Sequence, residues 1–535
     1  MLLIDPEKMK IYEEQANSGG YSFEEMMRTA GAALAQEVER RWHGLPSKKV
    51  TGLIGGGKNG GDTLIALTAL HQLGWQTAAI TLSTSVQPDW ISAVYLQTGS
   101  PLLAIEESNR CASLLADSAV VLDGILGTGF IPPMRADLAE KMKRVRKWCK
   151  GKTVVAVDCP SGVDCATGGA DENTLAASLT VCMEGIKTGL MAFPAFDYVG
   201  EICTVDVGIL KYLRVNPEDA DCVLDAELAT RLLPPRPRQS HKGSFGTVLV
   251  CGGSANYPGA PVFTGRAAYR AGAGLVRIAV PEGIYPITAG QCLEATWLVL
   301  EDERGVIAES SARLLQKELE RNACLAVGPG LGTEETTLRF LMELLTANGA
   351  NRKTGGIGFV QTDARVQTKT QHFPPLVLDA DGLRLLARIP EWPEALKFHA
   401  VLTPHPGEMS VLTGLPVEEI QHDRVGVCRE FAAKWQQVVV LKGALTIIAA
   451  PTGRVAICPI ASSALAKAGS GDVLTGLIAG LIAQGLACFE AALAGVWIHG
   501  CAGLLVAEKL GTERSVGISD ILAALPPVIA SLNKK

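Results

Sequence analysis

Asp472 stands in AKAGSGDVLTG, residues 466–476, just ahead of an apolar stretch of helical length. Small residues at 469–471 let backbone N–H groups at a helix start converge on an anion. A carboxylate at the same point can take the proton from an attacking hydroxyl while those amides hold the charge building on a transferred phosphoryl group. An ordinary Asp N-cap explains the same residue without any chemistry. The surrounding sequence favours the chemical use. VVVLKGALT runs a buried strand into Lys442, Gly443 and Thr446, which are backbone and side-chain donors for the phosphates or adenosine of a nucleotide. LTPHPGEM (402–409) places His405 between two prolines, which hold it extended at a strand end. GPGLG (328–332) and LDADGL (378–383) add two more strand-end turns. Five such ends pointing one way make a site.

A second chemical stretch lies near the N-terminus. GGGKNGGD (55–62) follows the apolar run VTGLI and precedes LIALTALHQLG. A P-loop needs G-x-x-x-x-G-K-[ST], with its lysine at the helix start; here Lys58 precedes the last two glycines, so the loop is not one. A dinucleotide fingerprint threads through Gly55, Gly57 and Gly60, but that pattern is weak in a chain with 57 glycines. A tight strand-to-helix turn is the bland alternative.

The elements that must position these residues follow from length and pattern. A chain of 535 residues exceeds one hydrophobic core, so two domains are expected. A composition 47% hydrophobic and only 5% aromatic suits helices packed closely on parallel strands, an α/β protein. In the first half VTGLIGG, TAAITLS, AVVLDGILG and TVVAVDCPSG read as buried strands, and Ser22–Arg41 as a helix. Each strand ends where an open α/β sheet places its ligand groups. A polar, proline-rich text at 213–238 reads as a linker between domains at 1–212 and 239–535. A second series of strands then follows: FGTVLVCGGS, GLVRIAVP, CLAVGPGLG, PLVLDADGL, AVLTPHPGE and VVVLKGALTIIAA. Residues 348–375 break the rhythm and read as an inserted surface loop.

A net charge of −6 offers no basic face for nucleic acid and directs attention to small-molecule substrates. The fourteen cysteines contain no C-x-x-C pair, so no zinc ribbon or redox motif is indicated. MLLIDPEKMK reaches Asp5 too early for a signal peptide. A cytoplasmic homo-oligomer with no membrane partner is the expectation, and the uncharged run Val473–Phe489 reads as part of a buried helix pair.

HKGSFG, GGSANYPGAP, GPGLG, LDADGL, LTPHPGE, KGALT and AGSGDVLTG, in that order, resemble the ADP/ATP-dependent NAD(P)H-hydrate dehydratases. The resemblance implies a ribokinase-like fold. It assigns Lys442, Gly443, Ala444, Leu445, Thr446 and Gly471 to the adenine nucleotide, and Ala260, Gly332, His405 and Asp472 to the hydrated nicotinamide cofactor. It further implies that the C6 hydroxyl of the (6S)-hydrate is phosphorylated with Asp472 as base, that phosphate then leaves, and that Mg2+ accompanies ADP or ATP. Ser470 stands where threonine is common. A vitamin-precursor kinase of the same fold is the alternative, and HPGE with KGALT argues against it.

GGGKNGGDT, DGILGTGFIPP (123–133) and DCPSGVDCATG (158–168) likewise resemble the NAD(P)H-hydrate epimerases, a Rossmann-like three-layer family often fused ahead of the dehydratase. By resemblance, Lys58, Asn59, Gly60, Gly61 and Asp62, with Gly127, Thr128, Gly129, Phe130, Ile131, Pro132, Pro133 and Asp158, embrace the hydrate. Potassium is held by groups matching Asn59, Asp123 and Ser161, and Asp158, beside a cis or turn-forming Pro160, moves the proton at C6. Two residues depart from the pattern. Lys58 replaces the first asparagine and Thr63 the last glycine, so a second positive charge would adjoin the potassium site unless a phosphate or carboxylate intervenes. The expected protein is a bifunctional lyase and isomerase that interconverts R and S hydrates and dehydrates the S form. A dehydratase with a non-catalytic first domain is the runner-up.

Overall fold

The computed structural model describes residues 1–83, 89–213, 220–346 and 373–533, so nearly all of the insertion expected at 348–375 lies outside the described residues. The chain divides into two units, Met1–Val223 and Leu224–Lys535. The division falls inside the stretch read as a linker. Part of that stretch is ordered structure: Ala226–Leu232 is a helix whose N-cap, Asp225, accepts the Leu228 N–H at 2.7 Å. Three prolines of that stretch, Pro234, Pro235 and Pro237, follow this helix.

The first unit is built on a parallel seven-stranded sheet in the spatial order Leu102–Ala104, Gln76–Thr81, Lys49–Ile54, Val120–Gly124, Thr153–Val157, Leu179–Met183 and Glu201–Val205. Successive residues of one strand feed opposite faces, as the two-residue period requires. Val50 and Ile54 pack with Leu34 and Val38 of helix Phe23–Trp42 and Leu67 of helix Lys58–Gln72. Leu53 and Val121 pack on the other side with Leu115, Met142 and Val145. Three layers result, as the Rossmann-like resemblance implied. Ser22 starts helix Phe23–Trp42 through a reciprocal capping box: its hydroxyl accepts Glu25 N–H at 3.2 Å and its own N–H donates to Glu25 Oε2 at 2.9 Å.

The second unit carries a sheet in the order Val455–Ile457, Ile447–Ala449, Val438–Leu441, Ala400–Leu402, Leu376–Leu378, Cys324–Val327, Thr247–Cys251, Leu275–Pro281 and Thr296–Leu300. It is parallel except where Val438–Leu441, Ile447–Ala449 and Val455–Ile457 run antiparallel. VVVLKGALTIIAA is therefore a hairpin rather than one strand. This is the half for which the resemblance implies a ribokinase-like fold. Helix Ser470–Ala483 is buried along nearly its whole length and lies tightly on helix Ala260–Ala271. A Cβ at Gly476 would come 2.1 Å from the Thr264 carbonyl oxygen, so glycine permits the approach that fixes Asp472 at the helix start. Helix Cys488–Leu510 follows after a short turn. It is long and apolar enough to cross a bilayer, and 67% of its apolar window is buried within the protein.

Candidate active sites

In the second unit the carboxyl ends of the parallel strands carry the polar groups. Asp379 follows Leu376–Leu378 and is fully buried. It is held by three donors: Lys442 Nζ at 2.6 Å and Thr403 Oγ1 at 2.8 Å on Oδ1, and Thr475 Oγ1 at 2.8 Å on Oδ2. Burial works to raise its pKa, but the Lys442 ammonium and these hydrogen bonds hold it below the ordinary value. Lys442 also lies 3.6 Å from Glu408 Oε2. Despite burial, its two acidic neighbours keep its proton affinity above that of a free lysine, so it is an ammonium.

Asp472 sits above this pair in the first turn of helix Ser470–Ala483, whose N-cap Gly469 is left-handed at φ 91°. A Cβ at Gly471 would stand 3.4 Å from both Asp379 Oδ2 and Lys442 Nζ, so that backbone lies directly against the ion pair. Burial, then the Asp379 charge, push the Asp472 carboxyl up to about 8, with Lys442 opposing. Its pKa is thus close to working pH, where a general base is most effective. Behind it, Ser470 Oγ lies 3.0 Å from His499 Nε2; burial lowers that histidine to about 4, which leaves it neutral.

His405 is extended, as its two prolines require, and caps helix Pro406–Thr413. Its Nδ1 accepts the N–H groups of Gly407 at 3.0 Å and Glu408 at 3.3 Å, and its own N–H donates to Glu408 Oε2 at 2.8 Å. Burial, then the charges of Lys442 and Arg384, lower its pKa and favour the neutral ring that this acceptor role needs. Gly332 joins the same end through its N–H to Asp381 Oδ2 at 3.0 Å. Ala260 opens its helix beside the GPGLG turn, where a Cβ on Gly330 would approach it to 3.0 Å. Lys442 to Thr446 form the hairpin turn, with Gly443 at φ 146° and Leu445 at φ 56°. Gly443 and Ala444 are exposed, whereas the Leu445 side chain is buried and can offer only its backbone outward. Ala380, at φ 51°, separates Asp379 from Asp381. A non-glycine residue in that region costs about 1–3 kcal/mol, a strain that concentrates at functional sites. The sequence had singled out neither Asp379 nor Glu408, Thr403, Thr475 or His499, although all but His499 lie inside quoted stretches.

The first unit contains a cleft of about 1100 Å³. Lys58, Asn59, Asp62, Gly127, Thr128, Gly129, Phe130, Ile131, Pro133 and Asp158 are on its wall, as expected from the resemblance. Gly60, Gly61 and Pro132 are not. The two glycines are turned into the helix start, where both N–H groups bond the Gly57 carbonyl, at 3.1 and 3.3 Å. Gly55 serves packing: a Cβ there would meet the Ile125 carbonyl oxygen at 1.8 Å. Thr63 has a local role too, donating to the Asn59 carbonyl at 2.7 Å.

Asn59, Asp123 and Ser161 form one hydrogen-bonded line. Ser161 Oγ donates to Asp123 Oδ1 at 2.6 Å and accepts the Leu126 N–H at 2.9 Å, while Asn59 Nδ2 donates to the Leu126 carbonyl at 3.2 Å. Burial raises Asp123 to about 6, against the pull of its Ser161 hydrogen bonds. Lys58 points elsewhere. Its ammonium is 2.8 Å from Glu13 Oε2 and 4.9 Å from the Phe23 ring centre. The carboxylate needed to offset the extra positive charge is thus Glu13. Asp158 adopts φ 66°. Its Oδ1 accepts the Met183 N–H at 2.8 Å and the Lys187 ammonium. Pro160 opens a turn, its carbonyl accepting Val163 N–H at 3.2 Å; the cis bonds among the described residues are at Pro132–Pro133 and Phe193–Pro194.

Comparison with known proteins matches both halves. A family model described as NAD(P)H-hydrate dehydratase fits residues 248–526, and one described as YjeF-related protein N-terminus fits residues 23–189. The bifunctional NAD(P)H-hydrate repair enzyme Nnr of Moorella thermoacetica is 34% identical over 95% of this chain and 93% of its own length. The enzyme of the same name from Thermofilum pendens is 33% identical over 97% of this chain and 94% of its own. Among solved structures, the ADP/ATP-dependent NAD(P)H-hydrate dehydratase from Bacillus subtilis, co-crystallised with ATP/Mg2+, is 30% identical, covering 58% of this chain and 99% of that one at a TM-score of 0.48.

Proposed function

The chain belongs to the family of bifunctional NAD(P)H-hydrate repair enzymes, and from that premise we propose that its first unit interconverts the (6R)- and (6S)-hydrates of NADH and NADPH while its second dehydrates the S form to NAD(P)H at the expense of ADP or ATP. The observation that carries this is the placement of Asp472, a carboxylate with a pKa raised to about 8, at a helix start against the Lys442–Asp379 pair.

In the second unit the C6 hydroxyl attacks the terminal phosphorus of the nucleotide and gives its proton to Asp472. The backbone N–H groups at the helix start and the Lys442 ammonium hold the charge on the phosphoryl group as its bond to the nucleotide breaks. The C6–O bond then breaks with loss of phosphate and of a C5 proton, which restores the dihydropyridine. Mg2+ suits this site as a companion of the nucleotide, since it favours phosphate and water oxygens and the Asp379 carboxylate is already engaged by Lys442, Thr403 and Thr475. When bound it would neutralise phosphate charge. In the first unit the buried carboxylate of Asp123, the Ser161 hydroxyl and the Asn59 amide form an oxygen-rich set suited to potassium, which would supply a fixed positive charge beside the cofactor. Asp158, on the cleft wall, serves the proton transfer by which the configuration at C6 is exchanged. A cytoplasmic, small-molecule enzyme fits this reading.

The test is to supply the (6S)-hydrate with ADP or ATP and Mg2+ and follow the return of reduced-nicotinamide absorbance together with nucleotide loss. Stoichiometric return supports the reading. Nucleotide hydrolysis without cofactor recovery would contradict it.

A further inference from the structure

Asp62 is only 8% exposed, lies on the wall of the first cleft, and accepts no hydrogen bond to its carboxylate from the described residues. A buried, unpartnered carboxylate is costly unless it is neutral or serves a ligand. The charged groups around it come from four elements. Lys58 is on its own helix and Glu13 on helix Pro6–Ser18, and these two are paired with each other. Asp158 follows strand Thr153–Val157, and Lys187 ends the short strand Ile186–Lys187.

Lys187 is itself 1% exposed and bridges Asp158 Oδ1 and the Met183 carbonyl, the latter at 3.0 Å. Both donors to Asp158, this ammonium and the Met183 N–H, fall on Oδ1. Oδ2 takes no hydrogen bond from the described residues and belongs to a residue of the cleft wall. One oxygen is anchored and the other is available.

We infer that Asp62, Asp158 and Lys187 are the proton-transfer unit of the first site, with Lys187 positioning Asp158 as proton acceptor and Asp62 acting as proton donor to the hydrate. The inference rests on the epimerase activity proposed above. The step balances without a further reactant. Asp158 Oδ2 takes the proton of the C6 hydroxyl, the C6–O bond becomes a carbonyl, and the C6–N1 bond breaks as N1 takes the proton of Asp62. Rotation about C5–C6 turns the other carbonyl face to N1. N1 then attacks, returning its proton to Asp62 while Asp158 returns the other to oxygen, and both side chains end as they began. The electrostatics agree with this division of labour. Burial, then the charges of Asp158 and Glu13, hold Asp62 well above the usual carboxylate range, so it carries a proton to give. Burial works against the Lys187 charge, but Asp158 keeps it an ammonium.

The test uses the full-length protein without nucleotide, following conversion of the (6R)-hydrate to the (6S)-hydrate by chromatography. Asp62→Asn and Lys187→Met should each lower kcat by about a hundredfold to ten-thousandfold while KM moves less than about threefold. Lys187→Arg, which keeps the charge, should recover at least about tenfold over Lys187→Met. Because the two residues act as a unit, adding Asp158→Asn to Lys187→Met should cost little more. Circular dichroism of each variant reports folding, and should Lys187→Met not fold, Asp62→Asn decides alone. Epimerisation by Asp62→Asn at the wild-type rate, or an effect of Lys187→Met confined to KM, would overturn the inference. A wild-type protein that does not epimerise would instead overturn the functional reading on which it rests.

Discussion

Lys442 Nζ and Asp379 Oδ1 are 2.6 Å apart at the floor of the second site, with the carboxylate fully buried and the lysine side chain 19% exposed. Removing one member of such a pair leaves an uncompensated charge, which is worse than never having had the pair. Lys442→Met should therefore destabilise the second unit by about 3–5 kcal/mol in addition to weakening nucleotide binding. Urea denaturation monitored on the second unit checks this. A loss under about 1 kcal/mol, the range of surface ion pairs, would show that the pair is open to water.

Asp472 carries a second, pH-dependent prediction. Its pKa is raised from 3.8 to about 8 in the folded protein. Between those values the folded state binds the proton that the unfolded state has released, so this group's contribution to stability falls as pH rises across the window. Asp472→Asn cannot titrate. Its melting temperature should match wild type near pH 4 and exceed it above pH 8, by a margin that grows in between. Equal melting curves throughout would contradict the raised value.

The same group sets the rate profile of dehydration, because only its ionised form accepts the hydroxyl proton. kcat/KM for the (6S)-hydrate should climb with pH and level off above about 8. Asp472→Asn should lose about a hundredfold to ten-thousandfold. Near-normal turnover by the variant would remove Asp472 as the base.

Lys58 pairs with Glu13 and leaves Asn59, Asp123 and Ser161 in their own hydrogen-bonded line. Wild-type epimerisation should therefore depend on potassium, and Lys58→Asn should keep that dependence with an altered affinity for the hydrate. The ion pair has an exposed lysine, so its loss should change stability by no more than about 1 kcal/mol. A wild-type rate that is flat against potassium concentration would mean that the lysine replaces the ion.

Much of this was legible in the sequence because parallel strands buried on both faces read as unbroken apolar runs, and their ends as Gly, Ser or Asp. VTGLIGG, AVVLDGILG and TVVAVDCPSG became three adjacent strands for that reason. The stretch Ser22–Arg41 read as a helix, and the structure starts that helix at the Ser22–Glu25 capping box. What stayed hidden depends on the tertiary fold. No spacing links Asp379 to Lys442 or Thr475, which meet only because strand order brings their ends together. Lys187 lies in EGIKTGL, a stretch without a signature, and its partner is 29 residues away. The KGALT turn reverses the chain through a left-handed Leu445, which propensity does not suggest. The 226–232 helix was masked by the prolines that follow it.

The most direct measurement of the two-site account starts from the pure (6R)-hydrate. The wild-type protein with ADP, Mg2+ and potassium should return all of it to reduced cofactor, since the first unit must convert R to S before the second can act. Asp158→Asn, blocked at the first step, should leave the R form at the uncatalysed rate yet still consume the S form. Persistence of the R-hydrate with the wild-type protein, while the S-hydrate is dehydrated, would contradict the account and leave the first unit without its proposed chemistry.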